Sequence, residues 1–294
     1  MAPRQELGPK EGRRNIPEDI PNRKLAAVRT TLTHIIDATR DRVRAVLLRR
    51  DDVEQAAAQA PDPLDFGAAL LSSEVGVIAE VKRRSPSGGS IAEDLRPDAL
   101  AASYAAGGAV AISVLTEPQF FGGSLDDLGA IRRSVALPLL QKDFVIDPVQ
   151  IFEARAAGAS AILLIVRVLE DAELGELHHV AVRLGLGVLV EAHNEVEVER
   201  ALAVGAKIVG LNSRDLDTFT VDIERILPML RAVPSDVVAV AESGVQSRDV
   251  VERVALAGAD AVLVGTHLSG HLTPEAALRS LTQVPSVSRR EAGP

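Results

Sequence analysis

The stretch Gly76-Val-Ile-Ala-Glu-Val-Lys82 begins small and apolar and then places two ionisable residues, Glu80 and Lys82, two positions apart. Extended backbone sends alternate side chains to opposite faces, so Glu80 and Lys82 share one face. Seven runs of the same kind follow. They are Val110-Ala-Ile-Ser-Val-Leu-Thr116, Leu137-Pro-Leu-Leu-Gln-Lys-Asp143, Ala161-Ile-Leu-Leu-Ile-Val166 and Gly187-Val-Leu-Val-Glu191, then Ile208-Val-Gly-Leu-Asn212, Val237-Val-Ala-Val-Ala-Glu242 and Ala261-Val-Leu-Val-Gly265. Continuous apolar runs of this length suit parallel strands buried on both faces. Helical periodicity fills the intervals near 98–106, 124–135, 148–157, 171–184, 195–204, 223–232, 249–257 and 275–281. The α/β alternation predicts a closed (β/α)8 TIM barrel with its chemistry at the C-terminal strand ends. An open doubly wound sheet is the rival, but no Gly-x-Gly-x-x-Gly turn follows the first strand.

Four helix-to-strand junctions repeat one device: Gly108-Ala109, Gly158-Ala159, Gly205-Ala206 and Gly258-Ala259. A glycine just past a helix supplies a left-handed cap, and a small alanine lets the chain turn directly into the next strand. The repetition favours tandem βα units in one domain. Ahead of them, 24–50 has helical periodicity and a shorter helix is expected at 65–72, after the Pro61-Asp-Pro63 break. The expected organisation is a tail over 1–22 and one domain over 23–294. Within that domain, 23–74 is a helical extension covering the N-terminal face, 75–282 the barrel and 283–294 a flexible C-terminal tail.

The 294 residues carry a formal charge of -9, which argues against nucleic acid or an anionic membrane as partner. With no cysteine, thiolate chemistry, disulfides and Cys-ligated metals are excluded. No apolar run approaches the roughly 20 residues that span a bilayer, and the first 22 residues lack a signal-peptide core. A cytoplasmic location is expected.

The strand ends carry the chemistry. Glu80 and Lys82, Lys142 and Phe144, Glu191, Asn212 and Glu242 all fall on faces that point into the barrel mouth. A structural ion-pair cluster is the plain alternative, but charges in such strands are costly unless paired or wet. Only five lysines occur among 32 basic residues, and two of them end strands. Lysine, unlike arginine, readily gives up a proton, which favours proton transfer or Schiff-base work. Ser243-Gly244 after the seventh run and Gly265-Thr266 after the eighth occupy the positions at which barrels commonly bind phosphate through backbone N–H groups. Phe120, Phe121 and Phe144, among six phenylalanines, one tyrosine and no tryptophan, gather at the same end, as a flat apolar ligand would require. Arg83 and Arg84 read as solvated, and His193 and His267 lie near strand ends without metal-ligand spacing.

Taken together, Ile78-Ala-Glu-Val-Lys82 with Ser85-Pro-Ser87, Leu115-Thr-Glu117 with Phe121-Gly-Gly-Ser124, and Lys142-Asp-Phe144 resemble the indole-3-glycerol phosphate synthase family of tryptophan biosynthesis. The resemblance continues through Leu163-Leu-Ile-Val166, Val190-Glu191, Gly210-Leu-Asn-Ser-Arg-Asp215, Ala241-Glu-Ser-Gly244 and Val264-Gly265, and spans about 24–282. It implies ring closure of 1-(2-carboxyphenylamino)-1-deoxyribulose 5-phosphate with loss of carbon dioxide and water, needing no cofactor and no metal. By the same resemblance Lys142 is the general acid and Glu191 its acid/base partner. Glu80 and Lys82 serve the dehydration, and Asn212 and Ser85 orient the substrate. Arg214 holds neighbouring carboxylates and Glu242 has a binding or electrostatic role. Phe121, Phe144 and Leu163 enclose the ring, while Ser243, Gly244, Gly265 and Thr266 form the phosphate cup. The partner is a small phosphorylated substrate, with weak contact to other enzymes of the pathway. Thr266 stands where Ser is expected, and Gly88 where a Lys or other polar residue is common. An FMN oxidoreductase, a Schiff-base aldolase with Lys142 as nucleophile, and a non-catalytic phosphate-ligand binder are the competing readings.

Overall fold

A computed structural model describes residues 20–85, 89–90, 95–215, 220–269 and 271–289, with side chains from residue 32 onward except at 85, 89 and 90. Residues 1–19 of the expected tail, Pro86–Gly88 of the first strand-end loop and residues 290–294 lie outside this description. Eight parallel strands close into a barrel: β1 (Gly76–Val81), β2 (Ala111–Leu115), β3 (Leu139–Lys142), β4 (Ala161–Ile165), β5 (Gly187–Ala192), β6 (Ile208–Asn212), β7 (Val238–Glu242) and β8 (Ala261–Val264), with β8 paired to β1. Each lies within about two residues of the run that predicts it, because strands buried on both faces leave a purely local signature.

Alternation along these strands fills the barrel in tiers. Ala111, Ala161, Ile208 and Ala261 from the even strands meet at the base, followed by Ile78, Leu140, Leu189 and Val240 from the odd ones. Two residues further along the odd strands stand Glu80, Lys142, Glu191 and Glu242. The polar mouth is thus a further tier of the same stack, set by the period-two geometry of extended chain.

The four glycines predicted to cap helices all have left-handed backbone, with φ of 98° at Gly108, 91° at Gly158, 82° at Gly205 and 93° at Gly258. In each case the following Ala N–H reaches five residues back, as in Ala109 to Tyr104 O at 3.0 Å, and the alanine is buried. Gly185-Leu186 uses the same device with a bulkier partner.

Ahead of the barrel lie α1 (Ile20–Leu47), α2 (Arg50–Gln59) and α3 (Phe66–Leu70). Asp65 caps α3 by accepting the Ala68 N–H at 2.8 Å. Phe66 and Leu70 of α3 insert among Ala111, Ala161, Ile208 and Val238 and stopper the N-terminal end of the barrel. The longer helix does not share that location. Leu32 and Ile35 of α1 line the cavity at the opposite, C-terminal end, so the extension reaches both faces. The anchor is Arg42, whose guanidinium grips the Asp143 carboxylate at 2.8 and 3.1 Å just past β3. Helix α2 escapes the sequence pattern because only Val53 and Ala57 are buried, and alanine hardly registers as apolar periodicity. The helix expected over 223–232 divides into a 3-10 turn, Ile223–Arg225, and a helix restarting at Leu227, where Pro228 suits the first turn.

Residues 283–289 of the expected C-terminal tail lie against the barrel base. Val284 O accepts the Val75 N–H at 2.8 Å, and Arg289 contacts Asp260 Oδ2 at 2.9 Å and the carbonyls of Gly258 and Val237. Among the described residues no helix is long and apolar enough to cross a membrane.

Because Phe66 is essentially inaccessible, Phe66→Ala should lower the unfolding free energy by about 3–5 kcal/mol, read from urea denaturation. An unchanged midpoint would show that the stopper contributes nothing to barrel stability.

Candidate active site

The C-terminal ends of the strands surround a cavity of about 280 Å³. Every catalytic, substrate-binding or phosphate-binding residue implied by the resemblance lines it except Ser85, whose side chain lies outside the described portion.

At its floor, the Lys142 ammonium sits 3.0 Å from Glu191 Oε2 and 3.1 Å from Glu242 Oε2. All three side chains are at least 86% buried by geometry, so their charges interact strongly. Burial works against the Lys142 charge, but the carboxylates of Glu191, Glu242 and Glu80 outweigh it and hold the pKa well above the usual lysine range. Burial likewise opposes ionisation of Glu191, yet Lys142, His193 and Asn212 hold that carboxyl well below its ordinary range. Glu242 goes the other way. Burial, with Glu191 nearby, pushes it up to about 7 against the pull of Lys142. Its second oxygen, Oε1, is buried and accepts no hydrogen bond among the described residues. Two carboxylates on one ammonium therefore divide their roles: one is firmly ionised and one titrates near neutrality.

Asn212 orients Glu191, donating from Nδ2 to Oε1 at 3.1 Å, while its own Oδ1 accepts the Arg214 N–H at 3.0 Å. Arg214 lines the cavity beside Val221, with which it forms an isolated bridge. Just past β1, Lys82 Nζ lies 2.7 Å from Glu80 Oε1 and 3.4 Å from Thr266 Oγ1, which links the first strand to the helical turn Thr266–Ser269 after the eighth.

Beyond β7, Ser243 and Gly244 have φ of 64° and 75°, so the chain turns sharply back over the cavity. A Cβ on Gly244 would lie 2.7 Å from Val221 Cγ1, and Ser213 Oγ braces the turn by donating to Ser243 O at 3.1 Å. Gly265 is needed for space. Its Cβ would lie 2.2 Å from Glu80 Oε1. The apolar wall comprises Phe121 and Phe144, with ring centroids 6.3 Å apart, together with Leu163, Ile165, Leu32 and Ile35. Phe120 instead borders a shallower depression with His34, Asp37 and Arg42. Phe121 is positioned by Glu117, whose carboxylate accepts the N–H groups of Gln119, Phe120 and Phe121 at 2.6–3.0 Å. The Phe121-Gly-Gly-Ser124 motif then acquires a physical meaning. Gly122 turns left-handed, Gly123 crosses the Leu115 carbonyl where no Cβ fits, and Ser124 caps the next helix, Leu125–Ser134, by accepting the Asp127 N–H.

Several participants were missed. Gly210 reads from sequence as one residue of a strand, yet its Cβ would lie 2.0 Å from Glu242 Oε1. Leu32, Ile35 and the Arg42 that grips Asp143 come from a helix whose destination no local pattern reveals. His193, read as a strand-end residue, has a side chain only 1% exposed, between Glu191 and Glu197. Arg83 is not simply solvated, since it makes two hydrogen bonds to Asp127, at 2.9 and 3.1 Å.

Comparison with known proteins covers nearly the whole described chain. The family described as "Indole-3-glycerol phosphate synthase" matches residues 32–281. Proteins of that name from Mycobacterium ulcerans (strain Agy99) and Rhodococcus jostii (strain RHA1) are each 48% identical over 254 residues, 86% of this chain and 93% and 94% of theirs. The one from Micrococcus luteus is 48% identical over 261 residues, 85% of this chain and 96% of its own. Among solved structures, thiamine phosphate pyrophosphorylase from Pyrococcus furiosus superposes with a TM-score of 0.54 at 16% identity, over 70% of this chain and 93% of that one. A mandelate oxidase mutant gives 0.52 at 16%, over 79% and 89%. At that identity these two report the barrel alone.

Gly210→Ala should force the Glu242 carboxylate away from Lys142 while the Lys142–Glu191 pair survives. A crystal structure of the variant checks this, and an undisturbed Glu242 would show that the glycine is not required for space.

Proposed function

Since the chain belongs to the indole-3-glycerol phosphate synthase family, we propose that its cavity closes 1-(2-carboxyphenylamino)-1-deoxyribulose 5-phosphate to indole-3-glycerol phosphate by general acid–base catalysis. The observation that carries this reading is the Lys142 ammonium held between Glu191 and Glu242, with an apolar wall and the turns after β7 and β8 on the same cavity. Those three features match the reacting centre, the aromatic ring and the phosphate of one substrate.

In this reading the ring carbon that bears the carboxylate attacks the ketone carbon, and Lys142 delivers a proton to the ketone oxygen as it becomes an alkoxide. A lysine whose pKa is held high remains charged at neutral pH, so the proton is available when that oxygen becomes basic. Loss of carbon dioxide from the same ring carbon restores aromaticity. The new hydroxyl then leaves as water, protonated from the Glu80–Lys82 pair, while Glu191, held ionised, accepts the proton released from carbon. Lys82 also faces the substrate's anionic group, Asn212 and Ser85 orient the substrate, and Arg214 holds neighbouring carboxylates. The backbone of Ser243, Gly244, Gly265 and Thr266 receives the phosphate. Phe121, Phe144 and Leu163 hold the ring against the ketone. Acid–base transfer contributes about 10²–10⁴-fold, so alignment of the two reacting carbons supplies much of the remainder.

A fluorescence assay for indole-3-glycerol phosphate formation from the synthetic substrate tests the reading directly; absence of turnover would end it. Lys142→Ala should abolish nearly all ring closure in a folded protein. Glu191→Gln should lower kcat rather than raise KM, and a change confined to KM would refute its acid/base role.

The pH dependence follows from Glu242. As pH falls through about 7, this carboxylate gains a proton and Lys142 keeps one anionic partner instead of two. We expect kcat/KM to fall below that pH, and Glu242→Gln to lose the inflection. The substrate phosphate, titrating near pH ~6, bends both profiles alike, so the difference between them reports Glu242.

A further inference from the structure

Glu191 is held from behind as well as from the cavity. His193 lies just past β5, two residues beyond Glu191 and on the same side of the chain, and is almost completely enclosed. Its backbone N–H donates to Glu197 Oε2 at 2.8 Å, and its ring Nδ1 lies 3.1 Å from the same oxygen. Glu197 belongs to the helix Glu195–Ala203, and its other oxygen accepts Asn194 Nδ2 at 2.8 Å and Arg167 Nε at 3.3 Å. Four donors thus fix the Glu197 carboxylate, and that carboxylate fixes the ring. With Nδ1 committed to Glu197, Nε2 faces Glu191 Oε1 at 3.3 Å, an ion-pair distance without the alignment of a straight hydrogen bond.

That orientation decides the protonation state. With the Nδ1 proton directed at Glu197, a neutral ring would present its Nε2 lone pair to an anionic oxygen, so the cationic ring fits this position. The balance of forces agrees. Burial opposes the charge, but Glu191 and Glu197 outweigh it and push the imidazole up to about 9.

We propose that His193, locked by Glu197, is a positioning residue for Glu191 that keeps its carboxylate ionised and in place during turnover. The proposal rests on the reading of Glu191 as acid/base. Once Lys142 has given its proton to the ketone oxygen, Glu191 loses the positive charge on its Oε2 side. The imidazolium on the Oε1 side remains, so the carboxylate does not swing or take up a proton from solvent before the proton on carbon is offered to it. The charged groups around this unit are Glu191 of β5, Glu197 of the helix Glu195–Ala203 and Arg167 after β4, and beyond Glu191 stand Lys142 of β3 and Glu242 of β7.

The test compares kcat against pH in a Glu242→Gln background, which lacks the inflection near 7 that would otherwise cover the titration of Glu191, for that variant alone and with His193→Gln or Glu197→Gln added. Removing a cation beside Glu191 should raise the pKa of that carboxyl, so the acid limb of kcat should move by about 1–3 units to higher pH in His193→Gln, with KM unchanged. Glu197→Gln should move it less, in the same direction. An acid limb left in place, with only the melting temperature lowered, would show that His193 merely fills space. Independently of any variant, NMR titration of the unmodified protein should show one of its six histidines still protonated above pH 8. A spectrum with every ring neutral there would overturn the proposal. Full turnover by Glu191→Gln would remove the underlying reading instead, whereas loss of turnover there with an unshifted limb in His193→Gln rejects His193 alone.

Discussion

One ammonium held between two buried carboxylates is the contact around which the rest of the molecule is arranged. Taking three charged groups out of water is unfavourable by several kcal/mol each unless they compensate one another, and here they do so at 3.0 and 3.1 Å. Compensation is unequal by construction. Glu191 also receives Asn212 and faces His193, whereas Glu242 has one oxygen with no hydrogen bond among the described residues. The same asymmetry separates a base that is ready at neutral pH from a carboxyl that tunes the lysine.

Holding that contact requires empty volume next to it. Gly210 on β6 leaves room for Glu242, and Gly265 after β8 leaves room for Glu80. One glycine lies within an even-numbered strand and the other just past one, while the carboxylates they accommodate are on odd-numbered ones, so alternate strands divide the work of supplying charge and supplying space. The rigidity comes from below. Two apolar tiers and the Phe66–Leu70 stopper fix the strands, and the Arg42–Asp143 pair ties α1 to the residue following Lys142.

The eight strands and the cavity-lining residues were legible because each depends on alternation over a handful of neighbouring positions. Glu80, Lys142, Glu191, Asn212 and Glu242 announce themselves as polar endings of apolar runs, and all five line the cavity. What escaped depends on distance along the chain. Arg42 and its partner are 101 positions apart, so nothing local indicates which end of the barrel α1 covers. His193 had a signal that was not used. A histidine two positions past a strand-end glutamate, with another glutamate four further on, can fold back across a strand-to-helix turn into a charged row. Helix α2 was hidden by its alanines, which pack without marking a face.

The stopper at the base has a consequence for traffic. Among the described residues Phe66 and Leu70 seal one end, so the cavity opens at the other, through a doorway beside which Leu32 and Ile35 of α1 stand. Substrate, carbon dioxide, water and the indole product all pass through it. The helix that forms part of its frame is held by Asp143, the residue adjoining the lysine inside.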